Sequence, residues 1–188
     1  MNPRLGEVLN YLDTERRELR EAVELVPSEL RDQSPGADRW SVAQVLQHLV
    51  IIEKRIGTVM TKWVADAKAA GVGPEAETSS VLDSLDLALI ADRSRRRNAP
   101  EEVRPNGELD AASAWTALEQ TRAALRAGVM PADSMALGKV IQPHPVLGPI
   151  NLYQWLLFVG SHEVRHTGQV REIATELKAG ANTADGAS

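Results

Sequence analysis

The chain contains no cysteine, so disulfides, thiolate metal sites and cysteine nucleophiles are all excluded. Aromatic residues make up only 4% of it, and β-branched runs are scarce, whereas Ala, Leu, Glu and Arg abound. That balance favours helices over strands. No apolar run approaches about 18 residues, so no membrane span is expected, and the N-terminus lacks the apolar core of a signal peptide. The charge is not basic. A formal net charge of -5 argues against nucleic acid as the main partner. What remains is the composition of an ordinary cytoplasmic globular protein, with 43% apolar and 25% charged residues in a chain of 188. That length suits one domain with a sizeable core.

Apolar periodicity predicts four long helices. In the first, Leu5, Leu9, Leu12, Leu19, Val23, Val26 and Leu30 form a stripe of about seven turns interrupted only by Arg16. The Arg16 stem is expected to lie on that seam with its head in water, the alternative being an inward reach to a buried carboxylate or ligand. A second helix is expected from Ser41 to about residue 69, with Ser41 and Gln44 at capping-box spacing and Trp40 and Val45 as a hydrophobic staple. Its apolar side carries Val45, Leu49, Ile52, Ile56, Val59 and Trp63, and His48 sits among them. Ser80 to Asp83 reads as the cap of a shorter helix through Leu89. The basic cluster Arg93 to Arg97 is expected to be solvated or paired with Glu101 and Glu102. A third long helix is expected from Leu109, closing at Gly128, and a last one starts at Pro149 and stops at Gly180. Residues 181–188 read as a disordered tail. The expectation is an all-α four-helix bundle over residues 1–180, with an accessory helix on a long crossover and no sheet.

Two of the four histidines, His162 and His166, lie one helical turn apart, about 6 Å along the axis and about 40° around it. On a helical wheel both face inward beside Val159 and Ile173, and two imidazoles in an apolar seam need partners. A metal ion would satisfy both. His48 is the only other histidine on an apolar helical face, and three nitrogen ligands would leave a coordination position for water or substrate. Gln169, one turn on, is placed to act from the second shell. The competing reading is three core histidines bonded to polar neighbours.

The same residues spell H-E-x-x-H, the motif of zinc proteases with Glu163 as the water-activating base. Geometry opposes that role. Glu163 lies about 100° from His162 on the wheel, and Glu172, the acid standing where such a protease would need its third ligand, is about 15 Å along the axis from His162. Glu163 is expected instead in an interhelix hydrogen bond or salt bridge.

These residues resemble the DinB-like (damage-inducible) metalloenzyme superfamily. The resemblance rests on Trp40-Ser41-x-x-Gln44-Val45-Leu46-x-His48-Leu49, on His144-Pro-x-Leu-Gly148, on Trp155-Leu156 and on His162-Glu163-x-x-His166-x-x-Gln169. It implies a four-helix bundle binding a divalent metal through His48, His162 and His166, often as a homodimer. Zinc or nickel stands ahead of iron or manganese. Some members resemble thiol-S-transferases that use bacillithiol or mycothiol, and one branch contains a mycothiol-dependent maleylpyruvate isomerase. The sequence stops soon after its last helix, so the extra domain of that isomerase branch is not expected. The resulting expectation is a metal-dependent transfer of a small thiol to a small electrophile, with His144, Gln169 and Glu163 as further second-shell or substrate-side candidates. Two alternatives stand beside it: a non-catalytic metal-binding structural homodimer, and a helical partner-binding module with incidental histidines.

Overall fold

The computed structural model describes residues 1–94 and 98–185, with residues 180–185 as backbone alone. It is mostly helical. Helix α1 (Pro3–Glu24) begins on Asn2, whose side chain accepts from the Arg4 N–H. Helix α2 (Val42–Ala69) begins on the Ser41–Gln44 capping box, both halves of which are formed. A short helix α3 (Leu87–Ala91) follows on the crossover, and α4 (Ala111–Val129) starts on Asp110. A two-stranded antiparallel hairpin, β1 (Ile141–His144) and β2 (Gly148–Asn151), leads directly into α5 (Leu152–Asp185). No helix among the described residues is long and apolar enough to cross a membrane.

Helix α1 packs along α5, α2 along α4, and α2 also touches α5. Their apolar stripes bury two clusters. One holds Leu5, Leu9, Leu12, Ile56, Met60, Leu125 and Leu156; the other holds Leu19, Val23, Val45, Leu49, Leu118, Val170 and Ile173. Between them in sequence, on every one of the four long helices, stands a buried charge. Arg16 follows Leu12, Glu53 follows Leu49, Arg122 follows Leu118 and Glu163 precedes Val170. The four form one neutral network. Arg16 Nη2 meets Glu53 Oε2 at 2.8 Å and Arg16 Nε donates to Glu163 Oε1. Arg122 Nε meets Glu53 Oε1 at 2.5 Å, and its Nη2 meets Glu163 Oε2 at 2.8 Å. The spare guanidinium donors reach backbone oxygens, Arg16 Nη1 that of Leu118 and Arg122 Nη1 that of Leu12, and Arg16 Nη1 also meets Glu119 Oε1 at 3.1 Å toward the surface. Burial works against the charge on Arg122, but Glu163 and Glu53 outweigh it and hold the guanidinium protonated.

Several expectations are corrected by this architecture. Arg16 does not send its head to water: only 7% of the residue is exposed, because two carboxylates wait for it inside. Helix α1 ends at Glu24 rather than near Leu30, since Pro27 has no N–H to continue the ladder and disfavours helical geometry before it. Asp86, not Ser80, caps the short helix; Ser80 instead donates to Glu7, and residues 82–84 form a single 3-10 turn. Gly128 lies inside α4, where it permits close packing. A β-carbon there would overlap Thr61 Oγ1 on α2.

The connection before the last helix is not structureless. Pro149 sits in β2 and the helix starts after Asn151, whose side chain and that of Gln154 cap each other's N–H groups. Gly148 has φ 74°, the left-handed conformation needed to close a three-residue hairpin turn. Helix α5 runs past Gly180 to Asp185, as an interior glycine costs a helix only about 1 kcal/mol. Residues 186–188 of the expected tail lie outside the described residues, as do Arg95, Arg96 and Arg97 of the basic cluster. Its described member Arg93 pairs with Glu172 of α5 through two hydrogen bonds, at 2.9 and 2.6 Å, rather than with Glu101 or Glu102.

Candidate metal centre

The three histidines converge on one another, with a ligand-competent nitrogen of each within 4.8 Å of the others. His48 comes from the second turn of α2, while His162 and His166 come from successive turns of α5. His48 Nε2 lies 3.4 Å from His162 Nε2, and His166 Nε2 lies 3.2 Å from the same atom. Of the other ring nitrogens, His48 Nδ1 is 2.7 Å from the Val103 carbonyl oxygen and His166 Nδ1 is 2.9 Å from Gln169 Oε1. Both partners are acceptors, so each Nδ1 carries the proton and donates it. The Nε2 atoms of His48 and His166 are therefore bare lone pairs, both aimed at His162 Nε2. A proton on His162 Nε2 can be given to only one of them. Three inward nitrogens with one proton at most among them are under-satisfied as a hydrogen-bond network and well matched to a cation. Outer groups fixing the tautomer of inner ligands are the arrangement that metal-binding imidazoles use. The donor set fits a divalent transition metal.

Burial and mutual repulsion keep the rings uncharged. Burial is the largest influence on His162, with the neighbouring His48 adding to it, and its pKa falls to about 3. His166 is pushed well below the ordinary imidazole range, by burial first and by His162 and His48 after it. His48 is also lowered by burial, against the opposing bond to Val103. Neutral imidazole is the form that binds metal.

The cluster lies on the wall of a cavity of about 1540 Å³. Trp40 stacks over His166, with ring centroids 6.4 Å apart and 18° between the planes, and also lies 5.1 Å from the His48 ring. Phe158 stacks on His162 at 5.6 Å and 19°. His144 lines the same cavity from the end of β1, against Trp155 and Phe158, and burial lowers its pKa.

The structure thus brings His48, His162, His166 and Gln169 together, with His144 on the same cavity, and it directs Glu163 elsewhere. Both Glu163 oxygens are held by Arg16 and Arg122, which removes the carboxylate from any base chemistry at the histidines. The wheel had given the interior of α5 to the histidines. Glu163, 2% exposed against 6% for His166, is also turned inward, and the histidines line the cavity beside it. Sequence reasoning missed three participants. The Val103 carbonyl has no side-chain signature, being backbone on an irregular crossover. Trp40, read as a staple, was visible as an aromatic immediately before Ser41-x-x-Gln44. The charged layer was visible as a charge interrupting each of the four apolar stripes, two of each sign.

Residues 11–170 match the DinB superfamily, and the chain belongs to that superfamily. It is 29% identical over 148 residues to the uncharacterized protein YuaE of Bacillus subtilis (strain 168), covering 78% of this chain and 85% of that protein. No solved structure gave a significant match.

Proposed function

We propose that this chain is a four-helix-bundle metalloprotein holding one divalent ion, zinc or nickel ahead of iron or manganese, on His48, His162 and His166. We propose further that it transfers a low-molecular-weight thiol to small electrophiles. The observation that carries the reading is the convergence of three Nε2 atoms, two of them bare, on the wall of a cavity large enough for a small molecule. Held by His48, His162 and His166, such an ion would lower the pKa of a thiol brought to it, so that thiolate would be present at neutral pH. The thiol proton leaves to solvent, the sulfur electron pair forms the bond to the electrophilic carbon, and the leaving group departs with its own pair.

The chain's residues supply the rest. The Val103 carbonyl and Gln169 hold the His48 and His166 rings in their tautomers, Trp40 stacks on His166, and Phe158 stacks on His162. Apolar side chains of Ile52, Ile56, Leu147 and Trp155 shape the cavity around the electrophile. A purely structural duty for the ion is the weaker reading, because the charged layer already ties all four long helices together. In this account the protein is a homodimer, as the resemblance implies.

The test is turnover. Metal-loaded protein with bacillithiol or mycothiol and a chromogenic electrophile should show a rate that chelation abolishes and re-metallation restores. No metal-dependent rate with either thiol would remove the transferase reading and leave the metal site to be judged by metal content.

A further inference from the structure

His144 is the one histidine outside the cluster, and its surroundings fix it more tightly than a loop residue requires. Its Nδ1 receives two backbone N–H groups from its own turn, Val146 N at 3.2 Å and Leu147 N at 3.1 Å. A backbone N–H only donates, so Nδ1 is an acceptor and the ring proton sits on Nε2. Pro145 opens the turn and Gly148, in the left-handed conformation, closes it. The segment His144-Pro-Val-Leu-Gly148 is therefore a device that sets one imidazole in one tautomer. The ring is clamped by Trp155 at 4.6 Å and by Phe158 at 4.3 Å, and Phe158 in turn stacks on His162. Nδ1 and Nε2 lie on opposite flanks of an imidazole, so Nε2 points away from the turn. No group among the described residues pairs with Nε2, yet it is not among the buried polar atoms left without a partner, as Trp155 Nε1 is. It therefore retains access to the cavity that His144 lines.

We propose that His144 is a substrate-binding residue, donating its Nε2–H to an oxygen acceptor, a carboxylate or carbonyl, on a small molecule whose apolar body lies against Trp155 and Phe158. This deepens the functional reading above and rests on it for the identity of the cavity as a substrate site. A carboxylate or carbonyl compound with an aromatic or aliphatic body is the class that matches a fixed neutral donor at the end of an aromatic wall. The arrangement leaves the reacting end of the molecule near the three histidines and its oxygen at the hairpin.

Two measurements test it. Long-range proton–nitrogen correlation spectra of the wild-type, metal-free protein should place the His144 proton on Nε2; a proton on Nδ1 overturns the proposal. Benzoate, which carries both the acceptor and the apolar body, is then titrated into wild type and His144→Asn, each metal-free and zinc-loaded. The Asn side-chain oxygen can still cap the turn, so thermal stability and zinc content should hold, while benzoate affinity falls about tenfold for the lost hydrogen bond to a charged group. Equal affinity of the two proteins, or no benzoate binding by wild type, overturns the proposal. If wild type takes up no zinc, the functional reading fails on that arm, while the tautomer and the metal-free titration still decide the role of His144.

Discussion

His162 and Glu163 are adjacent in sequence and both leave the same turn of α5, yet they enter two opposite kinds of polar environment. Glu163 joins Arg16, Glu53 and Arg122 in a layer in which each charge meets two of opposite sign. His162 joins His48 and His166 in a cluster whose inward nitrogens have only one another. The first layer is complete as folded. The second is incomplete in a way that a cation would complete. Buried polar groups are ordinarily satisfied, and when a fold satisfies one layer fully and leaves the next one short, the shortfall points to a ligand. The comparison also separates duties: the charged layer ties the four long helices, and the histidine layer has no need to.

The largest effect should come from breaking the complete layer. Arg122→Met leaves Glu53 and Glu163 sharing one guanidinium, and unfolding free energy in urea should fall by about 3–5 kcal/mol, the cost of an orphaned buried charge. A loss under about 1 kcal/mol would mean that water relieves the layer. Next, Gln169→Leu removes the group holding the His166 tautomer, and metal affinity measured by chelator competition should weaken about 10–100-fold with the fold intact.

The two layers also part on pH. The pKa of His162 is depressed from 6.5 to about 3 in the folded protein, so below about 6.5 the unfolded chain takes up a proton that the folded chain refuses. That contribution to stability is present above 6.5 and is lost as pH falls toward 3. It should appear as the part of the acid destabilisation that disappears in His162→Leu. The smallest effect belongs to that same variant, metal-free at neutral pH. Removing an under-satisfied polar ring should leave stability within about 1 kcal/mol of wild type, in sharp contrast to Arg122→Met.

Local signals carried much of this into the sequence. The Ser41–Gln44 box, the apolar stripes of the long helices and the one-turn spacing of His162 and His166 are short-range features, and each folds as its neighbours dictate. What escaped depended on distant partners. Arg16 looks like a surface residue until Glu53 and Glu163 are brought to it from 37 and 147 residues away. The hairpin escaped because β1 and β2 are four residues each and rich in proline, with no alternating apolar run to announce them. Val103 escaped because a carbonyl oxygen is common to every residue and only the crossover's path aims this one at His48.

Metal content of the protein, purified without an affinity tag and measured by elemental analysis, tests the central claim most directly. The histidine layer predicts about one equivalent of a divalent transition metal per chain. Less than about a tenth of an equivalent, in protein also offered zinc and nickel during refolding, would mean that the three imidazoles are a core cluster and no metal site.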